Sequence, residues 1–428
     1  MNGLAMILLF VVLTILGIPI AYGLGLSTVI YLLTSNFPLS VLAHRLPNAL
    51  NSFPLVAVPI FIYAGCLMNT TGITDRLFRT ARLMVGRRKG GLAHVNIIAS
   101  LIFSGISGAA LADIGGLGKI EIKAMKNQGY DTGDAAAITA ASATIGPIFP
   151  PSIPIIIFAS VAEVSGVKLL IAGVVPALVI TGLLMLVVTI IANIKQFPRD
   201  TFRLSGKEII KTVFNALPAL LTPVLLAGGL LSGWFSPTEV ATVTVAYSLF
   251  LGFFVYRELN FKNFIQMTKE TIYSTAQILM VVACASVFAW ILTVEQIPAV
   301  LAKFLLGISK DPVVLLLLIN VLLLFIGMIM DTIAAILVVT PIIYPALKMA
   351  GVDPIHLGIV VVFNLMIGLL TPPIGMSLYM VSVVSEQPIE KIIRKLLPYF
   401  IPLVVALLII TLFPILTTWL PNLVFPKR

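Results

Sequence analysis

The chain has 428 residues, of which 59% are hydrophobic and only 10% are charged, and its formal net charge is +10. A soluble protein of this size could not bury that much apolar surface, and repeated apolar runs near bilayer length indicate a polytopic helical membrane protein. The 27 lysines and arginines lie mostly in short loops between apolar runs, a pattern typical of the positive-inside rule rather than of nucleic-acid binding.

The first half of the chain is assigned to residues 1–200. Its predicted elements are scaffold helices within 1–70, an arm at 73–85, a hairpin at 92–130, a broken helix at 134–160 and a helix at 168–194. The arm is amphipathic and carries three arginines, so we expect it to lie along the membrane interface. The hairpin begins with an apolar run too short to cross the bilayer, and basic residues flank it on both sides. Both of its ends are therefore predicted in the cytoplasm, which makes the hairpin re-entrant.

The second half, residues 215–428, follows a basic cytoplasmic linker at 201–214 and repeats the same order. Its predicted elements are scaffold helices within 215–293, an arm at 296–306, a hairpin at 313–345, a broken helix at 354–384 and a helix at 398–418. Loop charges predict that this second hairpin enters from the periplasmic side. An odd number of crossings in each half inverts the second half relative to the first.

A pair of similar helix breaks lies in opposite halves of the chain. The first reads Ile-Gly-Pro-Ile-Phe-Pro-Pro from Ile145, and the second reads Ile-Gly-Leu-Leu-Thr-Pro-Pro from Ile367. Their Pro-Pro pairs are separated by an offset of 222, and the same offset relates Gly105 to Gly327 and Pro176 to Pro398. We therefore predict an all-α polytopic membrane protein made of two inverted-topology repeats. Paired Gly/Pro-interrupted apolar segments of this kind point to the binding site of a secondary transporter.

The breaks also predict ion and substrate sites. A break in a helix exposes carbonyls at the C-terminal end of the first half-helix and N–H groups at the N-terminal end of the second. The carbonyls suit a small cation, and the N–H groups suit a carboxylate. A hairpin tip beside each break predicts one Na⁺ site in each half. The predicted Na⁺ ligands are Ser104, Gly105, Ser107, Gly108, Thr144, Gly146 and Pro147, then Gly327, Asp331, Thr332, Gly368, Thr371 and Pro372. The predicted substrate site between them comprises Ser107, Pro151, Ser152, Asn364 and Pro373.

Other interpretations of these residues stay open. Gly and Ser in membrane helices are often packing residues, and Pro is often only a kink. Asp113 and Asp331 are acids at or near membrane depth that could relay protons instead of binding Na⁺, and Asp113 could instead cap a helix. A channel is disfavoured by the few intramembrane charges. A membrane enzyme would need a nucleophile–base pair or a metal cluster, and neither is visible in the sequence.

The sequence resembles the large membrane subunit of tripartite ATP-independent periplasmic (TRAP) transporters. The resemblance rests on the Ser-Gly-Ile-Ser-Gly tip that starts at Ser104, the Ile-Gly-Pro-Ile-Phe-Pro-Pro break and the Thr-Pro-Pro-Ile-Gly break, and it covers essentially the whole chain. It implies a bacterial inner-membrane permease that works by an elevator motion driven by a Na⁺ gradient. It also implies import of an organic acid anion of the C4-dicarboxylate or sialic acid type.

The resemblance further implies two partners, a small four-helix membrane subunit and a soluble periplasmic substrate-binding protein. Because no four-helix segment precedes Met1, we expect the small subunit to be a separate chain. The first tip lacks a carboxylate where the second has Asp331, so the two Na⁺ sites need not be equivalent. The alternative to this function is a proton-coupled organic anion transporter of related fold that works without a binding protein.

Overall fold

A computed structural model describes residues 2–35, 37–85, 89–107, 110–199, 206–233 and 235–426. Across these ranges the regular elements are helices, and one isolated β-bridge joins Lys89 to Arg199. The part of the chain that is described contains seven helices long and apolar enough to cross a membrane, or eight if a bent pair counts as one span. The prediction of an all-helical polytopic membrane protein is confirmed.

The first half contains twelve α-helices and one π-helical segment among its described residues. They are α1 (Gly3–Ile15), α2 (Ile20–Thr34), α3 (Ser40–Leu50), α4 (Phe53–Thr70), α5 (Ile73–Val85), α6 (Gly91–Ser107), α7 (Ala110–Asp113), π1 (Ile114–Gly118), α8 (Lys119–Asn127), α9 (Thr132–Ser142), α10 (Ile153–Val161), α11 (Gly166–Ala172) and α12 (Val174–Ile194).

The second half contains ten α-helices and one π-helical segment among its described residues. They are α13 (Gly206–Leu231), α14 (Pro237–Phe250), π2 (Leu251–Val255), α15 (Phe261–Val294), α16 (Ile297–Ile308), α17 (Pro312–Ile329), α18 (Thr332–Met349), α19 (Pro354–Gly368), α20 (Met376–Ser385), α21 (Ile389–Leu412) and α22 (Ile415–Val424).

Two features of the helices differ from the sequence-based expectation. The short helix α3 was not predicted, because it has only 11 residues, mixes polar with apolar side chains and contains Pro47. It packs against α15, where the Arg45 guanidinium lies 5.0 Å from the centre of the Trp290 ring. The arms of the second hairpin, α17 and α18, are also longer than expected at 18 residues each. Only Met330 and Asp331 separate them, since the Asp331 side chain caps α18 directly.

The first segments of the two broken helices, α9 and α19, lie at the centre of the molecule. Every residue from Gly133 to Ser142 and from His356 to Gly368 is buried. A helix that is buried all round must be enclosed by other helices. The second segments cross between the halves: α10 packs on α18 of the second hairpin, and α20 packs on α7 and π1 of the first.

Some residues that are 222 positions apart, like the two breaks, also form corresponding contacts. Asp131 caps α9 and Asp353 caps α19, each through its side chain. Asp134 forms an ion pair with Lys195 at 2.6 Å, and the two positions that the same offset gives, His356 and Thr417, form a hydrogen bond of 2.9 Å. Equivalent positions therefore pack together in both halves, although the chemistry of the contact differs.

A cluster of two acids and three lysines ties the start of α9 to α12 and α21. Lys395 lies 3.1 Å from the Asp134 carboxylate, and Lys391 lies 3.0 Å from that of Asp131. Burial alone would raise the pKa of the Asp131 carboxyl, but the hydrogen bond from Lys391 and the charge of Lys395 outweigh it and hold this pKa below its ordinary value. The side chain of Asp134 is only 5% exposed and forms ion pairs with both Lys195 and Lys395.

We expect Asp134→Asn to destabilise the protein by roughly 1–2 kcal/mol near pH 7, because it leaves two partly exposed lysines without their shared partner. The wild-type Asp131 contribution should be complete above the unfolded-state pKa of about 4 and lost as the pH falls through the lower folded-state pKa. Thermal unfolding in detergent near pH 7 and below about pH 4 measures both effects.

The matched control is Asp311→Asn, because Asp311 caps α17 through its side chain and asparagine caps a helix equally well. Equal melting temperatures for Asp134→Asn, the control and the wild type would show that the cluster contributes nothing to stability.

Candidate transport site

The second break separates α19 from α20 and opens beside the tip of the second hairpin. The Pro372-Pro373 peptide bond is cis, and α20 begins after Gly375, whose φ is +52°. The Gly375 N–H donates to the Met328 carbonyl at 3.4 Å, and the Ser377 N–H donates to the Leu369 carbonyl at 3.2 Å. Backbone of the hairpin and backbone of the break therefore lie against each other.

Two predicted ligand positions, Gly327 on α17 and Gly368 at the end of α19, are in direct backbone contact. A β-carbon added to Gly368 would lie 2.6 Å from the Gly327 α-carbon, and one added to Gly327 would lie 3.0 Å from the Gly368 α-carbon. Real β-carbons do not approach so closely, so any side chain here would force the hairpin away from the break. The absence of side chains brings the two elements within reach of a shared small ligand.

The hydroxyl and carboxylate groups of this second site have different surroundings. Asp331 Oδ1 accepts the N–H groups of Ile333 and Ala334 at 2.8 and 3.3 Å, so this oxygen acts as a helix cap. Thr371 Oγ1 donates to the Ile367 carbonyl at 2.9 Å and keeps its lone pairs. Thr332 is 5% exposed, and its Oγ1 is buried without a hydrogen-bond partner among the described residues. Thr332 therefore offers a desolvated oxygen at the hairpin tip.

The first break, residues 143–152, is more enclosed than the second. Ser152 caps α10 by accepting the Ile155 N–H at 3.2 Å, and its hydroxyl donates to the Pro147 carbonyl across the break. Pro151 and Ser152 are buried, whereas Pro372, Pro373 and Ile374 in the second break are exposed. The Pro147 carbonyl, predicted to bind Na⁺, is thus engaged by Ser152.

The other predicted residues of the first break lie near an acid. Thr144 Oγ1 donates to the Ala141 carbonyl at 2.7 Å. The Asp113 carboxylate lies directly against Gly146, at a place that any side chain on Gly146 would occupy. Gly146 and Gly368 are equivalent positions of the two halves, so both breaks use a glycine to admit a neighbouring group. In the first half that group is a carboxylate.

Several predicted residues of the first hairpin have no described side chain. Gly108 lies outside the described residues. Ser104, Gly105 and Ser107 belong to the helical backbone of α6, but their side-chain positions are not among those described. The π-helical segment π1 follows them in the outgoing arm, and such segments often occur at functional sites.

A buried polar network beside the first break was not predicted from the sequence. Asn96 Nδ2 donates to Glu121 Oε2 at 2.7 Å and to Thr139 Oγ1 at 2.8 Å, while Ser142 Oγ donates to Asn96 Oδ1 at 2.6 Å. Ser100 joins through Ser142 at 3.0 Å. The presence of Asn96 in a short apolar run could have indicated this network from the sequence. The network fixes α6, α8 and α9 together.

Asn364, predicted to bind substrate, connects α19 to α17. Its Nδ2 donates to the backbone oxygen and to Oδ1 of Asn320, at 2.9 and 2.8 Å. Its own Oδ1 is buried without a partner among the described residues. The equivalent position in the first half is Ser142, a member of the first network. The amide N–H groups of Asn364 thus serve helix packing, and its carbonyl oxygen remains available.

Within the described residues, no group of three or more His, Cys, Asp or Glu side chains could hold a metal ion. A cation at either break would therefore depend on backbone carbonyls and hydroxyls, with at most an isolated carboxylate. Such oxygen sets suit Na⁺ at broken membrane helices.

A family model of the tripartite ATP-independent periplasmic transporter, DctM component, matches residues 7–416. The chain belongs to this family. The sialic acid TRAP transporter large permease protein SiaM of Vibrio cholerae is 43% identical to this DctM-family chain over 95% of each protein. The sialic acid TRAP transporter permease protein SiaT of Haemophilus influenzae is 40% identical over 98% of this chain and 68% of its own length.

A further relative of this DctM-family chain is the C4-dicarboxylate TRAP transporter large permease protein DctM of Pseudomonas aeruginosa, which is 38% identical over 94% of each chain. The Alcanivorax borkumensis YdaH transporter, whose crystal structure has an unusual topology, matches with a TM-score of 0.68 over 96% of this chain and 97% of that one. Its 18% sequence identity limits this likeness to the fold. The chain is a transporter permease and not an enzyme.

We expect Gly368→Ala to separate the second hairpin from the break, because the new methyl group would meet the Gly327 backbone. Overpacking of this kind costs about 1–3 kcal/mol, and substrate uptake should fall about tenfold or more. The measurements are uptake into proteoliposomes and the melting temperature of the purified transporter. Gly182→Ala in α12 is the control, since nothing lies within 4 Å of its added methyl group. Wild-type uptake by Gly368→Ala would contradict the role of the close contact.

Proposed function

We propose that this chain is the large permease subunit of a Na⁺-coupled secondary transporter that imports an organic acid anion. The observation that carries the proposal is the backbone contact between Gly327 and Gly368, which joins a hairpin tip to a broken helix. Backbone at such a junction presents carbonyls toward a cation and N–H groups toward an anion. The buried Thr332 hydroxyl at the start of α18, unpaired among the described residues, is an oxygen ligand of the kind that Na⁺ takes.

The substrate class is proposed from the relatives together with the chemistry of the breaks. The sialic acid relatives are 43% and 40% identical to this chain, and the C4-dicarboxylate relative is 38% identical. Both substrate types carry a carboxylate, which helix N-termini at the breaks would bind. Of the proposed substrate-site residues, Pro373 in the second break is exposed, whereas Pro151, Ser152 and Asn364 are buried.

We further propose an inverted repeat that moves as an elevator in the bacterial inner membrane. The contacts that recur at equivalent positions support the repeat, and the packing of α10 and α20 on opposite hairpins supports one mobile unit made from both halves. The arms α5 and α16 would let this unit slide against scaffold helices such as α13 to α15. The proposed partners are a small four-helix membrane subunit and a periplasmic substrate-binding protein, as the TRAP names of the relatives suggest.

Uptake into proteoliposomes tests this function, using the chain with its small subunit and a binding protein loaded with sialic acid or a C4-dicarboxylate. We expect uptake with an inward Na⁺ gradient and none with an equal K⁺ gradient. We expect Thr332→Val to raise the Na⁺ concentration for half-maximal uptake about tenfold, because a buried ligand oxygen is lost.

Thr340→Val is the matched control, because Thr340 lies on the same helix, is buried and also has a hydroxyl unpaired among the described residues, but sits away from the tip. Equal uptake with K⁺ would overturn the Na⁺ coupling. Uptake without the binding protein would show that this protein is not a required partner. An unchanged Na⁺ dependence in Thr332→Val would remove Thr332 from the site.

Proton coupling is the second candidate, and a buried acid favours it. Glu121 is 1% exposed, and its Oε1 has no hydrogen-bond partner among the described residues. The charge of Asp113, which lies against the first break, acts on this carboxyl. Burying ionised carboxyls near one another is costly, so a protonated Glu121 is the less costly form.

If Glu121 carries the coupling proton, Glu121→Gln should abolish uptake driven by an inward proton gradient without Na⁺, while keeping the fold. Glutamine preserves the oxygen that accepts from Asn96 and resembles the protonated acid. Uptake at several external pH values, with Glu390→Gln on the surface of α21 as the control, measures this. An absence of proton-driven uptake in the wild type would exclude this candidate.

A further inference from the structure

A polar cavity of about 520 Å³ lies between the arm α5, the start of α13 and the chain after π2. Among the residues that the structure describes, its charged lining comprises Asp75, Arg76, Arg79 and Glu258, and its other walls include Tyr256, Asn215 and Phe214. None of these residues belongs to the breaks or the hairpins. The cavity is therefore separate from the proposed transport site.

One of the two arginines is fully engaged in building the wall. Arg76 forms a 2.8 Å ion pair with Glu258 and donates to the Gly72 carbonyl at 2.8 Å. Its guanidinium lies 3.7 Å from the centre of the Tyr256 ring, and the Tyr256 hydroxyl donates to the Asn215 carbonyl at 3.2 Å. These contacts fix the arm against α13 and take up both Arg76 and the ring face of Tyr256.

The other two charged groups on α5 are not engaged in this way. Asp75 and Arg79 lie one helical turn apart, and both side chains are exposed toward the cavity. Among the described residues neither forms an ion pair or a hydrogen bond through its side chain, even with the other. Within that part of the chain, the cavity thus presents one unpaired anion and one unpaired cation on a rigid wall. The charges of Arg76 and Glu258 offset each other, so the charges of the described lining residues sum to zero.

The cavity also lies where a lipid headgroup would meet it. Arg257 lies between the lining residues Tyr256 and Glu258, Lys262 follows soon after, and both mark the predicted cytoplasmic surface. An amphipathic helix such as α5 lies at the level of the headgroups. Phe214 and Val255, which are 70% and 45% exposed, form an apolar edge beside the charges. An acyl chain can follow this edge into the bilayer.

We propose that this cavity binds the headgroup of a zwitterionic phospholipid with a primary amine, of the phosphatidylethanolamine type. Arg79 binds the phosphate, because guanidinium matches phosphate oxygens in a two-pronged geometry. Asp75 binds the ammonium group, which donates up to three hydrogen bonds to a carboxylate. A quaternary ammonium cannot donate these bonds, and the Tyr256 ring that could otherwise attract it already faces Arg76. The site therefore prefers ethanolamine over choline and over glycerol headgroups.

The test is native mass spectrometry of the complete transporter with its small subunit, exchanged in turn against phosphatidylethanolamine, phosphatidylcholine and phosphatidylglycerol. We expect Arg79→Gln to weaken retention of the ethanolamine lipid about tenfold or more, since it loses a charge-assisted contact. Asp75→Asn should lose the preference for ethanolamine over choline while keeping binding through the phosphate. The charge-matched controls are Lys303→Gln on α16 and Asp311→Asn before α17, and they should bind as the wild type does. The melting temperature of each variant checks that it is folded.

Each other outcome overturns a part of the proposal. Equal lipid retention by Arg79→Gln and the wild type would show that no lipid phosphate is bound there, as expected if the small subunit fills the cavity. Preference for phosphatidylglycerol would remove the role of Asp75. If free phosphoethanolamine displaced the lipid and bound with the same affinity, the acyl chains would contribute nothing to binding. The ligand would then be a soluble metabolite and not a membrane lipid.

Discussion

Backbone that leaves the helical pattern at membrane depth must find its hydrogen-bond partners inside the protein, because lipid offers none. Both breaks of this chain meet that constraint with close neighbours. In the first, the Ser152 hydroxyl satisfies the Pro147 carbonyl. In the second, Gly375 donates to the hairpin at Met328. The complete burial of α9 and α19 follows from the same requirement, since an interrupted helix is tolerated only where other helices surround it.

The polar residues inside the molecule hold these surrounding helices in place. Asn96 and Asn320 lie on the incoming arms of the two hairpins, and each bonds to the first segment of a broken helix. An amide can donate and accept at once, so one residue fixes two neighbours. The repeated contacts keep their places while their chemistry changes, as the charged Asp134–Lys195 pair and the neutral His356–Thr417 pair illustrate. At this pair of positions both halves form a contact, but only the contact in the first half is charged.

Much of the fold could be predicted from apolar run length and from Gly and Pro. These signals are local: an amphipathic pattern with a glycine on each side indicates a helix such as α5, which the structure has at Ile73–Val85. The helix α3 could not be found in this way, since it is neither apolar nor long. The role of Asn96 and Glu121 also escaped prediction, because a contact between residues 25 positions apart depends on how α6 and α8 turn toward each other. For the same reason the motif located Asp331 but did not show that one of its oxygens caps α18.

The two breaks look alike in sequence, yet only the first carries a side-chain clasp among the described residues. Ser152 links both edges of the first break, whereas the equivalent position in the second half is Ile374, which has no group to form such a link and is exposed. The first break therefore has its two edges tied together by a side chain. Among the described residues, the edges of the second break are joined by backbone instead: the Ser377 N–H donates to the Leu369 carbonyl, and the Gly375 N–H donates to Met328 of the hairpin. Two breaks that look alike in sequence are thus tethered in different ways, by a hydroxyl group in the first and by backbone in the second.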